Sequence, residues 1–220
     1  MGRDQAMSEK KRLSPQERER QIVDEAIRFF AEQGFGGQTR ELAKRLGITQ
    51  PLLYRYFSSK EALIERVYQD VFVGRWKENW QSLITDRSQP IRQRLLRLYG
   101  EYAEVIDNRE WVRILILAGM KGESLNRRYL DQVREKIIEP LCREMRFEAG
   151  LPDPDTLPLD EAERDLVWSF HGTFIYRGIR KWVYGIPVME DSDTIVETAV
   201  TAFLEGAPAA LSAILADRLD

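Results

Sequence analysis

Cysteine and histidine are almost missing from this 220-residue chain, which holds one of each, Cys142 and His171. A single cysteine closes no intramolecular disulfide, which fits a reducing compartment and points to the cytoplasm. One thiol and one imidazole also argue against a thiolate or imidazole metal centre, so no metal and no other cofactor is expected, although carboxylate-only sites stay open. Cysteine–histidine catalysis would have to join Cys142 to His171, and nothing in the sequence brings them together. P-loop, dinucleotide and His-Glu-x-x-His fingerprints are absent, so an enzyme is not expected. Long apolar runs are lacking too. No uncharged run exceeds eleven residues, as in Leu166–Tyr176, against about 20 for a spanning helix, and no membrane segment is expected. The N-terminus lacks the apolar core of a signal peptide.

What is present is a globular composition, 43% hydrophobic and 31% charged, enough apolar content for a core and too much for a disordered chain. The net charge of −3 hides a division. Residues 1–60 carry 12 basic and 8 acidic residues, and the rest carry 21 and 28. A basic head on an acidic body suggests an anionic partner for the head, nucleic acid first, although a solvated face would look the same.

Apolar spacing is helical throughout, with no strand alternation. Residues 1–14 read as a flexible basic arm with Lys10, Lys11 and Arg12. Pro15 suits a helix start, Ile22, Ala26, Phe29 and Phe30 share one face, and Gly34 ends the helix. A second, two-turn helix carries Leu42, Ala43 and Leu46 to Gly47, and Thr49 caps a third running to about Phe57. Ser58 and Glu61 have capping-box spacing and open a long helix that continues to about Leu83. Further helices are expected over about 90–105, 110–120, 124–147 (with Pro140 to kink or split it), 160–184, 191–204 and 208–219, with a proline-rich loop at 151–158.

The segment Thr39 to Phe57 has the form of a helix-turn-helix: two short helices joined through glycine, the second basic and aromatic. Leu42, Ala43, Leu46, Ile48, Leu53 and Phe57 are placed to pack inside, leaving Thr39, Arg40, Gln50, Tyr54, Arg55 and Tyr56 outside. Each of these aromatics and cations, taken singly, would also suit a core or a solvated face.

The ordered series Gly34-Phe35, Leu42-Ala43, Leu46-Gly47-Ile48-Thr49, Leu53-Tyr54, Tyr56-Phe57 and Ser59-Lys60-Glu61-Ala62-Leu63 resembles the DNA-binding signature of the TetR family of transcriptional regulators. The likeness covers about residues 18–66. It implies an all-α protein with a three-helix DNA-binding domain over 15–62 and a larger helical ligand-binding and dimerisation domain over 63–220. It further implies a homodimer on a palindromic double-stranded DNA operator, most simply a repressor released by a small molecule; an activator is open. By position, Gln50, Pro51 and Arg55 would address base edges, joined by Arg40, and Thr49, Tyr54, Tyr56 and Lys60 would address phosphates. Two departures stand out. The connection before Thr39 is about one residue short, which leaves the capping role of Thr39 uncertain, and Leu52 replaces a small hydroxyl residue.

Beyond residue 66 the side chains must be read on their own. Trp76, Trp80, Tyr102, Trp111, Phe147, Phe170, His171 and Phe174 are candidates for an effector pocket suited to a lipophilic or aromatic molecule; the same aromatics would equally make a core. Arg113, Arg177 and Arg180 could meet an anionic group there. Gly172, Gly178, Ile195, Ala199, Ala202 and Phe203 on the last long helices are candidates for a four-helix dimer interface, or for packing within one chain. The uninterrupted helix expected from Ser58 to Leu83 would carry ligand-driven motion to the head. An alternative is a DNA-binding adaptor whose body binds a protein.

Overall fold

Ser14 fixes the start of the first helix in the computed structural model, which describes residues 13–120 and 124–219. Its hydroxyl accepts from the Glu17 amide at 3.2 Å while the Glu17 carboxylate accepts from the Ser14 amide at 2.7 Å, satisfying two amides that a helix start leaves open. The helix α1, Pro15–Gln33, buries Ile22, Ala26, Phe29 and Phe30 and stops at Gly34, where φ is +66°. The short connection that follows closes because Gly37 has no side chain: a Cβ there would lie 2.5 Å from the Phe29 ring. The helices α2 (Thr39–Leu46) and α3 (Gln50–Tyr56) meet through Gly47, left-handed at φ +64°. Thr49 caps α3 by accepting from the Leu52 amide at 3.3 Å. Leu42, Leu53 and Phe57 bury against α1. Of the basic arm expected over residues 1–14, residues 1–12 lie outside the described residues, and Ser14 belongs to the helix as its cap.

Three expectations about later helices change. The helix α4, Lys60–Val71, is capped by Ser59 and not Ser58: the Ser59 hydroxyl accepts from the Ala62 amide at 3.1 Å. The long helix to Leu83 is broken. After α4 come a single 3₁₀ turn, Val73–Arg75, and a short helix α5, Trp80–Thr85. Gly74 sits in that turn with the Gln69 carbonyl 3.2 Å from where its Cβ would be, and glycine is a poor helix former. Conversely, the two helices expected at the C-terminus are one, α11, Ser192–Leu219, which passes through Pro208.

Between these lie α6 (Ile91–Ile106), α7 (Arg109–Met120), α8 (Ser124–Val133), α9 (Glu139–Glu148) and α10 (Glu161–Trp182). A wide π turn, Arg134–Ile138, joins α8 to α9. It absorbs Pro140, which has no amide to donate and would crowd the carbonyl four residues back. All regular structure among the described residues is helical. The head leans on the body where α1 packs on α7, fastened by Arg113 Nε donating to the Ala31 carbonyl at 2.7 Å. Arg128 on α8 reaches Glu65 on α4 at 2.8 Å.

The body core contains two buried ion pairs. Arg94 meets Glu144 at 2.8 Å. Arg146 meets Glu163 through both its Nε and Nη2, at 2.6 and 2.5 Å, and also holds the carbonyls of Pro152, Leu157 and Pro158, closing the proline-rich loop over itself. Within α11 the stretch Ser192–Ala216 is long and apolar enough by length and composition to cross a membrane, contrary to the expectation from uninterrupted runs. Glu197 and Glu205 break the run without lowering its average far. One side of α11 packs on α6 and α10, and Glu197 pairs with Arg92.

Candidate DNA-reading face and effector cleft

The α2–α3 unit presents one polar ridge. Arg40, Lys44, Thr49, Pro51 and Arg55 are exposed, Gln50, Tyr56 and Lys60 are half-buried, and Tyr54 is 39% exposed. Arg45 has a structural task instead: it pairs with Glu32 at 2.7 Å and lies over the Phe29 ring. Arg40, Glu41, Lys44 and Gln50 line a hollow of about 560 Å³ beside α3. Gln50 and Tyr54 are four residues apart, hence on one face of α3, and both converge on Thr39. Its hydroxyl accepts from Gln50 Nε2 at 3.0 Å and lies 3.0 Å from the Tyr54 hydroxyl. Thr39, expected to point outward, is therefore buried as a clasp between α2 and α3. The short connection before it leaves Gln38 as the cap, without a side-chain bond.

In the body, the expected pocket aromatics divide. Trp80, Tyr102 and Trp111 are buried and Trp76 half-buried. They pack edge to face with one another and with Tyr129, Trp76 on Trp80 at 5.0 Å, Trp80 on Tyr102 at 5.5 Å and Trp111 on Tyr129 at 5.6 Å. These rings mostly fill space. Phe174 stacks on Tyr99 at 4.7 Å and Phe170 on Phe203 at 4.2 Å. Phe147 is not in a pocket: it is 53% exposed, with the Arg87 guanidinium 3.7 Å above its ring.

An actual opening lies between α10 and the α6–α7–α8 layer, a cleft of about 250 Å³ with almost wholly apolar walls. Tyr102 and His171, both expected, line it, joined by Tyr129, Trp168, Leu115, Leu130, Gly172, Ile175, Tyr176 and Ile179. Its polar groups sit deep. The hydroxyls of Tyr102 and Tyr129 are 3.3 Å apart, and His171 Nδ1 is 3.3 Å from the Tyr99 hydroxyl. Burial pushes the His171 imidazole down to about 3 and raises both tyrosines well above the usual range, so all three are neutral at pH 7. Tyr129 carried no signal in the sequence, because its importance comes from neighbours distant in the chain.

The expected interface residues also divide. Ile195, Ala199, Ala202 and Phe203 line a broad apolar groove of about 620 Å³ between α10 and α11, floored by Phe170. Gly178 belongs elsewhere: it is buried against α7, where a Cβ would come 2.8 Å from Val112. Gly172 opens onto the cleft.

Residues 22–67 match the profile of the bacterial regulatory proteins of the tetR family. Over these residues the head of this chain is similar to the DNA-binding domain of the TetR family. The class D tetracycline repressor protein of Escherichia coli is 34% identical over 92 residues, 38% of this chain and 42% of that protein. The chain thus spans about two fifths of the length of that repressor. The transcriptional repressor KstR2 of Mycolicibacterium smegmatis is 24% identical over 181 residues, 79% of this chain and 83% of that protein. Among solved structures, a TetR-like transcriptional regulator from Rhodococcus sp. RHA1 superposes with a TM-score of 0.63 at 20% identity, over 89% of this chain and 100% of that one. Head and body together therefore have the all-helical TetR fold. The relatives named here are regulators.

Proposed function

We propose that this chain is a ligand-responsive, DNA-binding transcriptional regulator of the cytoplasm, acting as a homodimer on a palindromic operator and, most simply, as a repressor. The observation that carries this reading is the polar ridge of Arg40, Gln50, Pro51, Tyr54 and Arg55 on a helix-turn-helix similar to that of the TetR family, with Gln50 and Tyr54 held by Thr39. Gln50, Pro51 and Arg55 would meet base edges, joined by Arg40, and Thr49, Tyr54, Tyr56 and Lys60 would hold phosphates, the division that positions a recognition helix in the major groove.

Two heads must reach grooves about 34–36 Å apart. The apolar groove between α10 and α11 is the surface offered for pairing, with Ile195, Ala199, Ala202 and Phe203 meeting their counterparts on the second copy. That contact would cover the outer side of the apolar α11.

Because the helix after Ser59 stops at Val71, it does not act as a continuous lever into the body. Signal passage rests on side contacts instead. Phe72, at the end of α4, packs on Tyr129 at 5.1 Å and Trp111 at 5.5 Å, and Tyr129 walls the cleft. An occupant that displaces Tyr129 would shift the end of α4, at a coupling of about 1–3 kcal/mol.

Selection from a random-sequence DNA library at fixed physiological salt tests the reading. A palindromic site bound by two chains is expected. Recovery of no motif, with weak and steeply salt-dependent binding, would mean that the head grips phosphates alone. A body that captured a protein and no small molecule would favour an adaptor.

A further inference from the structure

We propose that the body cleft takes an uncharged, largely apolar small molecule with one hydrogen-bonding group, and rejects the carboxylate of the same skeleton. The inference rests on the effector reading and specifies its ligand class.

Three observations carry it. First, among the described residues the walls contain no lysine or arginine. Of the three cations that might have entered, Arg113 is engaged by the Ala31 carbonyl and Arg177 by Asp107 and the Met189 carbonyl, and Arg180 does not line the cleft. An anion in such a site would lose its water and gain no counter-charge. Second, the polar atoms at the deep end are neutral and can exchange donor and acceptor roles. Tyr102 and Tyr129 pair hydroxyl to hydroxyl, and His171, which lines the cleft, pairs Nδ1 with the Tyr99 hydroxyl and keeps its other ring nitrogen free of hydrogen bonds among the described residues. A hydroxyl or carbonyl matches this set. Third, Gly172 keeps the space open. A Cβ built there meets nothing within 4 Å, whereas at Gly178, six residues on in the same helix, it would strike Val112. The missing side chain at Gly172 therefore serves the cleft and not helix packing.

Binding of 4-phenylbutan-1-ol and of 4-phenylbutanoate to the full chain, without DNA, at pH 7.5 tests the proposal. The readouts are Tm and tryptophan fluorescence, to which Trp168, the one of the five tryptophans that lines the cleft, contributes. The alcohol is expected to bind at least about tenfold more tightly than the carboxylate. Gly172→Leu, which fills open space, is expected to keep its helical spectrum and lose the alcohol by more than about tenfold. Tyr129→Phe, which keeps the ring and removes the hydroxyl, is expected to weaken the alcohol severalfold. Equal or tighter binding of the carboxylate would overturn the proposal. So would undiminished binding by both variants, or no saturable binding of the alcohol below roughly 1 mM. Alcohol binding that leaves operator affinity unchanged would instead overturn the effector reading and leave the ligand class standing.

Discussion

In the head, Thr39, Gln50 and Tyr54 bond one another at the rim of a surface whose cations, Arg40, Lys44 and Arg55, stand in solvent. In the body, Tyr99, Tyr102, Tyr129 and His171 bond in pairs beneath apolar walls, and the charged groups taken inside, Arg94 with Glu144 and Arg146 with Glu163, are paired with each other, with Arg94 Nε alone of these left without a hydrogen bond. The head keeps polar groups available to a charged polymer. The body spends most of its polar groups on one another, and the cleft it leaves beside α10 is lined by uncharged residues. Function in the head therefore separates from stability, while in the body the two share residues.

The sharpest way to break that division is through the body. Glu163→Ala leaves Arg146 buried without its partner and is expected to cost about 3–5 kcal/mol in urea unfolding. Replacing both partners by apolar residues of similar volume should restore much of it. A loss near zero for Glu163→Ala would mean that water reaches the pair. In the head, Arg55→Ala should weaken operator binding by about 1–3 kcal/mol while moving the unfolding midpoint little; a large stability loss would erase the contrast.

Acid sharpens it further. His171 is the single histidine, and burial lowers its affinity for protons to about 3 from 6.5. The unfolded chain thus gains a proton below about pH 6.5 that the folded chain refuses, so stability is full above 6.5 and falls as pH drops toward 3. Between pH 7 and 5 the loss should be about 2 kcal/mol, and His171→Phe should flatten it. The smallest expected effect is that of Thr39→Val, which keeps shape and removes the clasp: about 1 kcal/mol in affinity, with relaxed base preference at the position met by Gln50. Unchanged preference in a repeated selection would show that Gln50 holds its pose unaided.

The same division decides how much the sequence disclosed. Head features are local. Gly34, Gly47 and Thr49 act within a few residues of themselves, and their helices begin and end where expected. The slip from Ser58 to Ser59 arose because adjacent serines offer the same hydroxyl, and the fold alone selects which one reaches an amide. Thr39 was misread because its partners lie 11 and 15 residues away. In the body such distances are the rule. Gly172 and Gly178 look alike in sequence, yet one opens a cleft and the other seats a valine. The facing of Phe147 depends on the π turn upstream, which resets the helical register after Ile138. The helix ends of the body were mostly legible; the space between helices was not.

Cys142 is fully buried, its sulfur directed at the Glu163 carbonyl at 3.7 Å, and burial pushes its thiol up to about 12. At pH 7 the group is therefore held as the thiol, not as the thiolate that nucleophilic chemistry requires. Thiol-directed oxidants therefore meet no reactive sulfur in this chain while the fold is intact.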